Sequence, residues 1–480
     1  MAQSIKKNFV YNILLNISSV VFPLITAPYV SRVLEPEGVG LFNFSNTYAG
    51  YFSLVALLGI PTYGVREVSK IRENKESLTK LVSQLLSIAT LTTICVSIIY
   101  ILTIVFVGKL TENFIIFTLA GFAIYLAPFS INWYYQGLEE FGYITIRSLI
   151  IKTLSVILLF VFVRDKDDLK IYVIINVLGI VISNLWNYIK MRKAGVNPHF
   201  TLFGLKSHLK PLFVLLASSV AVSIYTILDT LMLGFIKGYE EVGYYSNALS
   251  ISRVLFSAIT SLSIVAVPRV SYYLKDSDYG KINGLLNKSF SIVSFLAFPA
   301  ALGLICISSV FVPLFFGENF MGSIVPLKIL SLLLIAIGLN NLTGVQILIG
   351  MGYDKLFLYS VLTGTFTNFV MNCFLIPFWG GIGASIASVT AETLILVVTT
   401  YYVYKKTPIR FKEWNNILKS LIGTIVLVPV FWGVKNVVSG WMLIILFIVV
   451  GGMFYMLIEL LLKNSSLQLV APVIKKVIKK

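Results

Sequence analysis

Glu37-Gly38-Val39-Gly40-Leu41-Phe42 heads one long apolar run, and Glu240-Glu241-Val242-Gly243-Tyr244-Tyr245 heads another, 203 residues further on. At the same offset Arg66 meets Arg269, each just past its run and each followed closely by Val-Ser, as Val68-Ser69 and Val270-Ser271. A third match, Gln136, Gly142 and Tyr143 against Gln346, Gly352 and Tyr353, is offset by 210. Three matches in order, at nearly constant offset, predict an internal duplication. The composition around them says what is duplicated. Of 480 residues, 57% are hydrophobic and 12% charged, whereas a soluble domain carries about 25% charged residues. So few charges cannot clothe a water-soluble particle of this size, and an integral membrane protein is predicted.

A helix needs about 20 mainly apolar residues to cross the hydrocarbon core. The chain offers fourteen such spans, near 9–31, 40–64, 82–107, 113–135, 142–163, 170–189, 211–235, 243–268, 288–315, 324–350, 357–378, 383–403, 416–434 and 441–462. The first follows Lys6 and Lys7 but is too long for a signal-peptide core, so it reads as a retained helix. Six spans separate the copies, an even number, so the two halves point the same way through the bilayer. The expected fold is an all-α membrane protein of 14 transmembrane helices. Two parallel six-helix lobes, 1–190 and 211–404, surround a central cavity. A basic connector, 191–210, joins them, and 405–480 adds helices thirteen and fourteen and a basic tail.

The net charge of +17 comes from 38 basic and 21 acidic residues. With the amino terminus inside, 27 of the 38 fall in cytoplasmic segments and span ends and seven outside. The positive-inside rule then places both termini in the cytoplasm. Most of the charge is therefore an orientation signal, and no nucleic-acid partner is expected. The tail from Val470 to Lys480 reads as an amphipathic segment held by anionic membrane lipids. Cys95, Cys306 and Cys373 all lie in apolar runs, which argues against a disulfide framework or metal site. His199 and His208 sit in the connector and read as solvated loop residues. The short loops leave no room for an enzyme site in water, and no GxxxxGK[ST] loop binds a nucleotide.

Three stretches carry a family resemblance. They are Asp229-Thr230-Leu231-Met232-Leu233-Gly234 with Glu241-Val242-Gly243-Tyr244-Tyr245, Val267-Pro268-Arg269-Val270-Ser271, and Pro28-Tyr29-Val30-Ser31-Arg32-Val33-Leu34 followed by Glu37-Gly38-Val39-Gly40. With twelve duplicated helices plus two, the whole chain resembles the Wzx-type polysaccharide repeat-unit flippases of the multidrug/oligosaccharidyl-lipid/polysaccharide exporter superfamily. One residue departs from the pattern: glycine often follows Arg-Val-Leu in that family, and here Glu35 stands there. The resemblance implies a MATE-like transporter of the bacterial cytoplasmic membrane and no enzyme. Its substrate would be an undecaprenyl-pyrophosphate-linked oligosaccharide, turned from the inner to the outer leaflet by alternating access for O-antigen, capsule or exopolysaccharide assembly. It also implies coupling to a proton or sodium gradient without a bound cofactor, and polysaccharide polymerase and chain-length machinery as partners.

Charges inside the spans test that substrate class, since an ionisable group at depth faces a cavity or a partner. At about 1.5 Å per residue, Lys152 lies roughly 15 Å into span five and Arg253 roughly 15 Å into span eight. Both suit a cationic lining that attracts pyrophosphate or an acidic sugar; the alternative is neutralisation by Asp229 or Glu392. Asp229 and Glu392 are themselves candidates for ion coupling or for structural pairing. Arg66 and Arg269 read either as positive-inside anchors at matching corners or as phosphate receivers. Arg32, closing span one at the outer side, reads as an interfacial anchor or a guide for release. Lys328 near the outer interface, and Arg66, Arg147 and Arg269 near the inner one, are placed to snorkel; Glu459 is near-interfacial. Trp133, Tyr134 and Tyr135 suggest an interfacial belt or sugar stacking. A cation or drug antiporter would place carboxylates in the cavity, and a glycosyl-transfer enzyme would need a large outer loop. Four basic against three acidic residues within spans lean toward an anionic substrate.

Overall fold

The computed structural model describes residues 5–467, so the basic tail from Val470 lies outside the described residues. They are helical throughout, with no strand among them. Among the described residues nine helices are long and apolar enough to cross a membrane, ten if a pair bent by 42° near Leu126 is one span. Two of the nine are too long for a single crossing. Val10–Ala56 has 47 residues and Asp354–Lys406 has 53, some 70–80 Å of helix against a hydrocarbon core of about 30 Å.

Each of these is broken near its middle by one residue of positive φ. In α1 (Ile5–Ala56) the break is Glu35, at φ 58° and ψ 175°. Pro36 behind it excludes the α conformation, and the region Glu35 occupies is one that essentially only glycine enters freely. The residue that departs from the family pattern is thus the one holding a glycine's conformation. Glu35→Gly is expected to stabilise the protein by about 1 kcal/mol or more by releasing that strain. A melting curve of the solubilised variant checks this, and a midpoint at or below wild type would refute it. In the second long helix the break is Gly380, at φ 52°, inside the glycine cluster Gly380-Gly381-Ile382-Gly383. There Gly381 N–H donates to Glu241 Oε2 at 2.7 Å, a carboxylate well placed at the start of the next helical segment.

The chain divides into two compact units, Met1–Phe235 and Ile236–Lys480. In the first, α1 packs on α3 (Lys75–Phe106) and α5 (Phe141–Phe162), and α2 (Ile60–Ile71) packs on α4 (Asn132–Gly137). Next come α6 (Leu169–Lys193) and α7 (Lys206–Ile236). Trp133, Tyr134 and Tyr135 are core residues packed with Tyr63, Val68 and Leu85. This corrects the expectation of an interfacial belt, because the short helix α4 turns all three rings inward. In the second unit α9 (Leu262–Lys275), which follows α8 (Tyr239–Thr260), packs on the π-helical stretch Asn341–Ile349. The α2–α4 pairing therefore recurs between the segments that carry the sequence matches. The second unit continues through α10 (Tyr279–Phe316), α11 (Ile324–Leu330) and α12 (Leu333–Asn340) to α13 (Asp354–Lys406). Its last helices, α14 (Trp414–Ile425), α15 (Leu427–Lys435) and α16 (Gly440–Leu461), bury Phe295 with Phe431, Phe447 and Tyr455.

The surface is apolar in a way that a soluble protein's is not, and polar residues share the interior. Ile98, Phe106 and Met453 are exposed while Ser83, Asn187, Ser291 and Asn372 are buried. Lipid rewards no apolar burial, so polar hydrogen bonds and close packing hold the helices together.

Candidate functional site

The first unit holds four of the candidate charges. Lys152 on α5 is half-buried, and its Nζ donates to Ser18 Oγ on α1 at 3.2 Å. It also lies 5.8 Å from the centre of the Phe22 ring. No carboxylate joins it among the described residues. Asp229 on α7 is buried at 8% exposure and close enough to Tyr51 to act on it electrostatically. The Tyr51 hydroxyl in turn donates to Ser223 O at 3.0 Å, tying α1 to α7. Arg66 is exposed, pairs with Glu67 at 3.0 Å and lies over the Tyr63 ring. Arg32 is exposed on the last turn before the Glu35 break.

Depth along the span misplaces one cation. Arg147 is 2% exposed, not snorkelling: its position on α5 faces α4 and α6, whose asparagines solvate it. Its guanidinium donates to Asn187 Oδ1 and, at 2.8 Å, to Asn132 Oδ1, and lies over the Tyr143 ring. Its Nε has no hydrogen-bond partner among the described residues. Tyr143 and Asn187 Nδ2 complete the cluster, each at 3.0 Å, and Lys190 pairs with Glu140 beside it. A buried cation solvated only by amides and rings is unusually costly. Asn132→Asp keeps both acceptor contacts and supplies the missing countercharge, so it is expected to stabilise the protein by about 1–2 kcal/mol. An unchanged or lower melting midpoint contradicts this reading.

His208 needs the same kind of correction. It is held between the Tyr63 hydroxyl at 2.8 Å and Gln84 Oε1 at 3.0 Å. Burial lowers its pKa, with Glu67 opposing, so the neutral ring is the form packed against α2 and α3. The connector is stitched to α3 as well: Ser83 Oγ accepts from His199 N–H at 3.1 Å and Ser87 Oγ from Thr201 N–H at 2.9 Å.

In the second unit Glu392 on α13 is buried at 7% exposure and accepts from Asn340 Nδ2 at 3.0 Å. The Thr343 and Thr399 hydroxyls bond to each other at 2.7 Å, and Thr399 reaches Asn340 Oδ1 at 3.5 Å. Glu392 makes no ion pair among the described residues, so it is a carboxylate in a neutral amide and hydroxyl setting. Arg253 on α8 and Arg269 on α9 are both exposed side chains. Glu459 on α16 is fully buried and hydrogen-bonded to Asn464. No group of three or more His, Cys, Asp or Glu among the described residues is placed to hold a metal.

Comparison with known proteins places these features in a family. Residues 5–274 match the family described as polysaccharide biosynthesis protein. A putative O-antigen transporter of Escherichia coli K12 is 24% identical over 83% of this chain and 97% of its own length. The capsular polysaccharide biosynthesis protein CapF of Staphylococcus aureus is 23% identical over 83% of this chain and 99% of its own. Among solved structures, the lipid II flippase MurJ in an inward closed conformation superposes with a TM-score of 0.74. It covers 97% of this chain and 100% of its own at 15% identity. An inward-facing multidrug resistance MATE family transporter gives a TM-score of 0.62, covering 80% and 93% at 12% identity. The fold is thus of the MurJ and MATE kind, and the family match covers more than half of the sequence. This chain belongs to the polysaccharide biosynthesis protein family.

Proposed function

We propose that this protein is a transporter that turns an undecaprenyl-pyrophosphate-linked oligosaccharide from the inner to the outer leaflet of the bacterial cytoplasmic membrane, for assembly of a surface polysaccharide. The observation that carries the reading is the Lys152 ammonium, held within an apolar span by a hydroxyl and not by a carboxylate. Such a cation is free to meet a pyrophosphate or an acidic sugar. The relatives from E. coli and S. aureus, each matched over nearly its whole length, support the substrate class. The two long helices, each cut by a residue of positive φ, count as two crossings each and bring ten candidates to twelve; α7 and the α8–α9 pair, read as spans from the sequence, make up the fourteen. Both termini are then cytoplasmic, as the basic loops require. Arg253 adds to the cationic lining, Arg66 and Arg269 receive phosphate at the inner mouth, and Arg32 guides release. Glu392, buried without an ion pair, is the ion-coupling carboxylate that drives alternating access on a proton or sodium gradient, with Asp229 as the second candidate. The polymerase and chain-length machinery take the product.

Deleting the gene from its host tests this. Lipid-linked repeat units should accumulate on the cytoplasmic leaflet, seen as sugars oxidised in inverted but not in right-side-out vesicles. Surface polysaccharide that is unaffected in the deletion strain would overturn the assignment.

A further inference from the structure

The second unit contains a cavity of about 530 Å³ at the end where the Asp278 turn, the 407–413 segment and the chain after α16 meet. None of the charges assigned above lines it. One wall is a single face of α10: Gly280, Gly284 and Lys288 succeed one another at intervals of four, with Asn287 and Ser291 beside them. Lys412 and Glu413 face them, and Ser465 closes the rim.

Gly284 does not serve packing. A Cβ built on Gly284 finds nothing within 4 Å, although a glycine inside a helix costs about 1 kcal/mol relative to alanine. The opposite wall is fixed, since Asn287 Oδ1 accepts from Lys412 N–H at 2.8 Å and Asn283 Oδ1 from Arg410 N–H at 3.1 Å. The one acid, Glu413, is engaged by Asn416. The ammonium groups of Lys288 and Lys412 have no partner among the described residues. Two unengaged lysines, serine hydroxyls and a volume far larger than one ion form a receptor for a polar anion.

We propose that this cavity binds a phosphate-bearing ligand at the basic end of the second unit, with Lys288 and Lys412 contacting the phosphate oxygens. The phosphate belongs either to an anionic lipid headgroup or to a soluble phosphate compound. The site goes beyond the transport reading, because it needs no translocated sugar.

The full chain in phosphatidylcholine nanodiscs is melted with and without inorganic phosphate, and again in nanodiscs that contain phosphatidylglycerol. Binding to the folded state raises the midpoint. A rise with phosphatidylglycerol alone identifies a headgroup site, a rise with phosphate alone a soluble ligand, and a rise with both a site open to either; all three support the proposal once the variants abolish the rise. Lys288→Gln with Lys412→Gln should weaken apparent affinity about tenfold or more. Gly284→Leu fills the cavity and keeps both lysines; it should abolish the rise while the ligand-free midpoint holds or increases. Lys405→Gln with Lys406→Gln should leave the rise intact. No rise with either probe, or a rise undiminished in both cavity variants, overturns the proposal.

Discussion

Replacing Gly64 by leucine is expected to destabilise the protein by about 3 kcal/mol or more, at the upper end for overpacking a close contact. The reason is a reciprocal crossing of α2 and α4. A Cβ on Gly64 would come within 2.3 Å of the Trp133 indole, and one on Gly137 would meet the Val68 Cβ at 2.7 Å and the Val65 carbonyl at 3.0 Å. Trp133 is 3% exposed, so its ring has nowhere to go, and the helices must separate. That separation also displaces Tyr63 and Arg66, which share α2, and unseats His208 from the Tyr63 hydroxyl. Gly137→Leu should cost a similar amount, and the double variant less than the sum, because the first substitution already opens the crossing. Melting midpoints and the amount of folded protein recovered from membranes measure both. A Gly64→Leu protein as stable as wild type would mean that the crossing is not close. Gly284→Leu, where the added side chain meets open space, provides the contrast within the same fold.

The sequence stated some of this and concealed the rest, for physical reasons. The duplication was legible because its marks lie at turns and helix starts, where residue identity is constrained locally; the repeated pairing of α2 with α4 and of α9 with the stretch Asn341–Ile349 agrees with it. The break at Glu35 was legible as a departure from a family pattern, but only the backbone shows what the departure does. The burial of Arg147 is not legible from its place along span five. Distance from a span end gives depth along the helix axis and says nothing about which way the side chain faces. His208 was read from its neighbours in a polar loop, and its partners Tyr63 and Gln84 are more than a hundred residues away in sequence. Lys152 stands out in the sequence as a charge deep in a span, but nothing local joins span five to its partner Ser18 in span one. The cavity beside Lys288 escaped altogether, because its walls come from three separate stretches and its clearest signal is a glycine spacing that also serves ordinary helix packing.

Charge reversal at Lys152 is the sharpest test of the transport reading, and Lys152→Glu is expected to abolish export of the finished polysaccharide while lipid-linked repeats accumulate inside. Two unit charges about 5 Å apart interact by about 3 kcal/mol at an effective dielectric of 20. Reversing one therefore changes the interaction with an anionic headgroup by about 6–7 kcal/mol, worth more than four orders of magnitude in rate if that contact is made during crossing. The local structure tolerates the change better than the transport step does. Ser18 Oγ, which accepts from Lys152 Nζ, would have to turn its proton from the Leu15 carbonyl, to which it donates at 2.7 Å, toward a glutamate, and among the described residues no carboxylate pairs with Lys152. A purely structural lysine would thus leave export close to normal in Lys152→Glu protein made at wild-type levels. Lys152→Gln, which removes the charge without reversing it, should slow export without abolishing it, and that graded order separates an electrostatic role from a steric one. Arg253→Glu should behave like Lys152→Glu if both line the substrate path. Normal export by both reversed variants, at protein amounts matched by immunoblot, would remove the cationic lining and leave the anionic substrate without a physical basis in these residues.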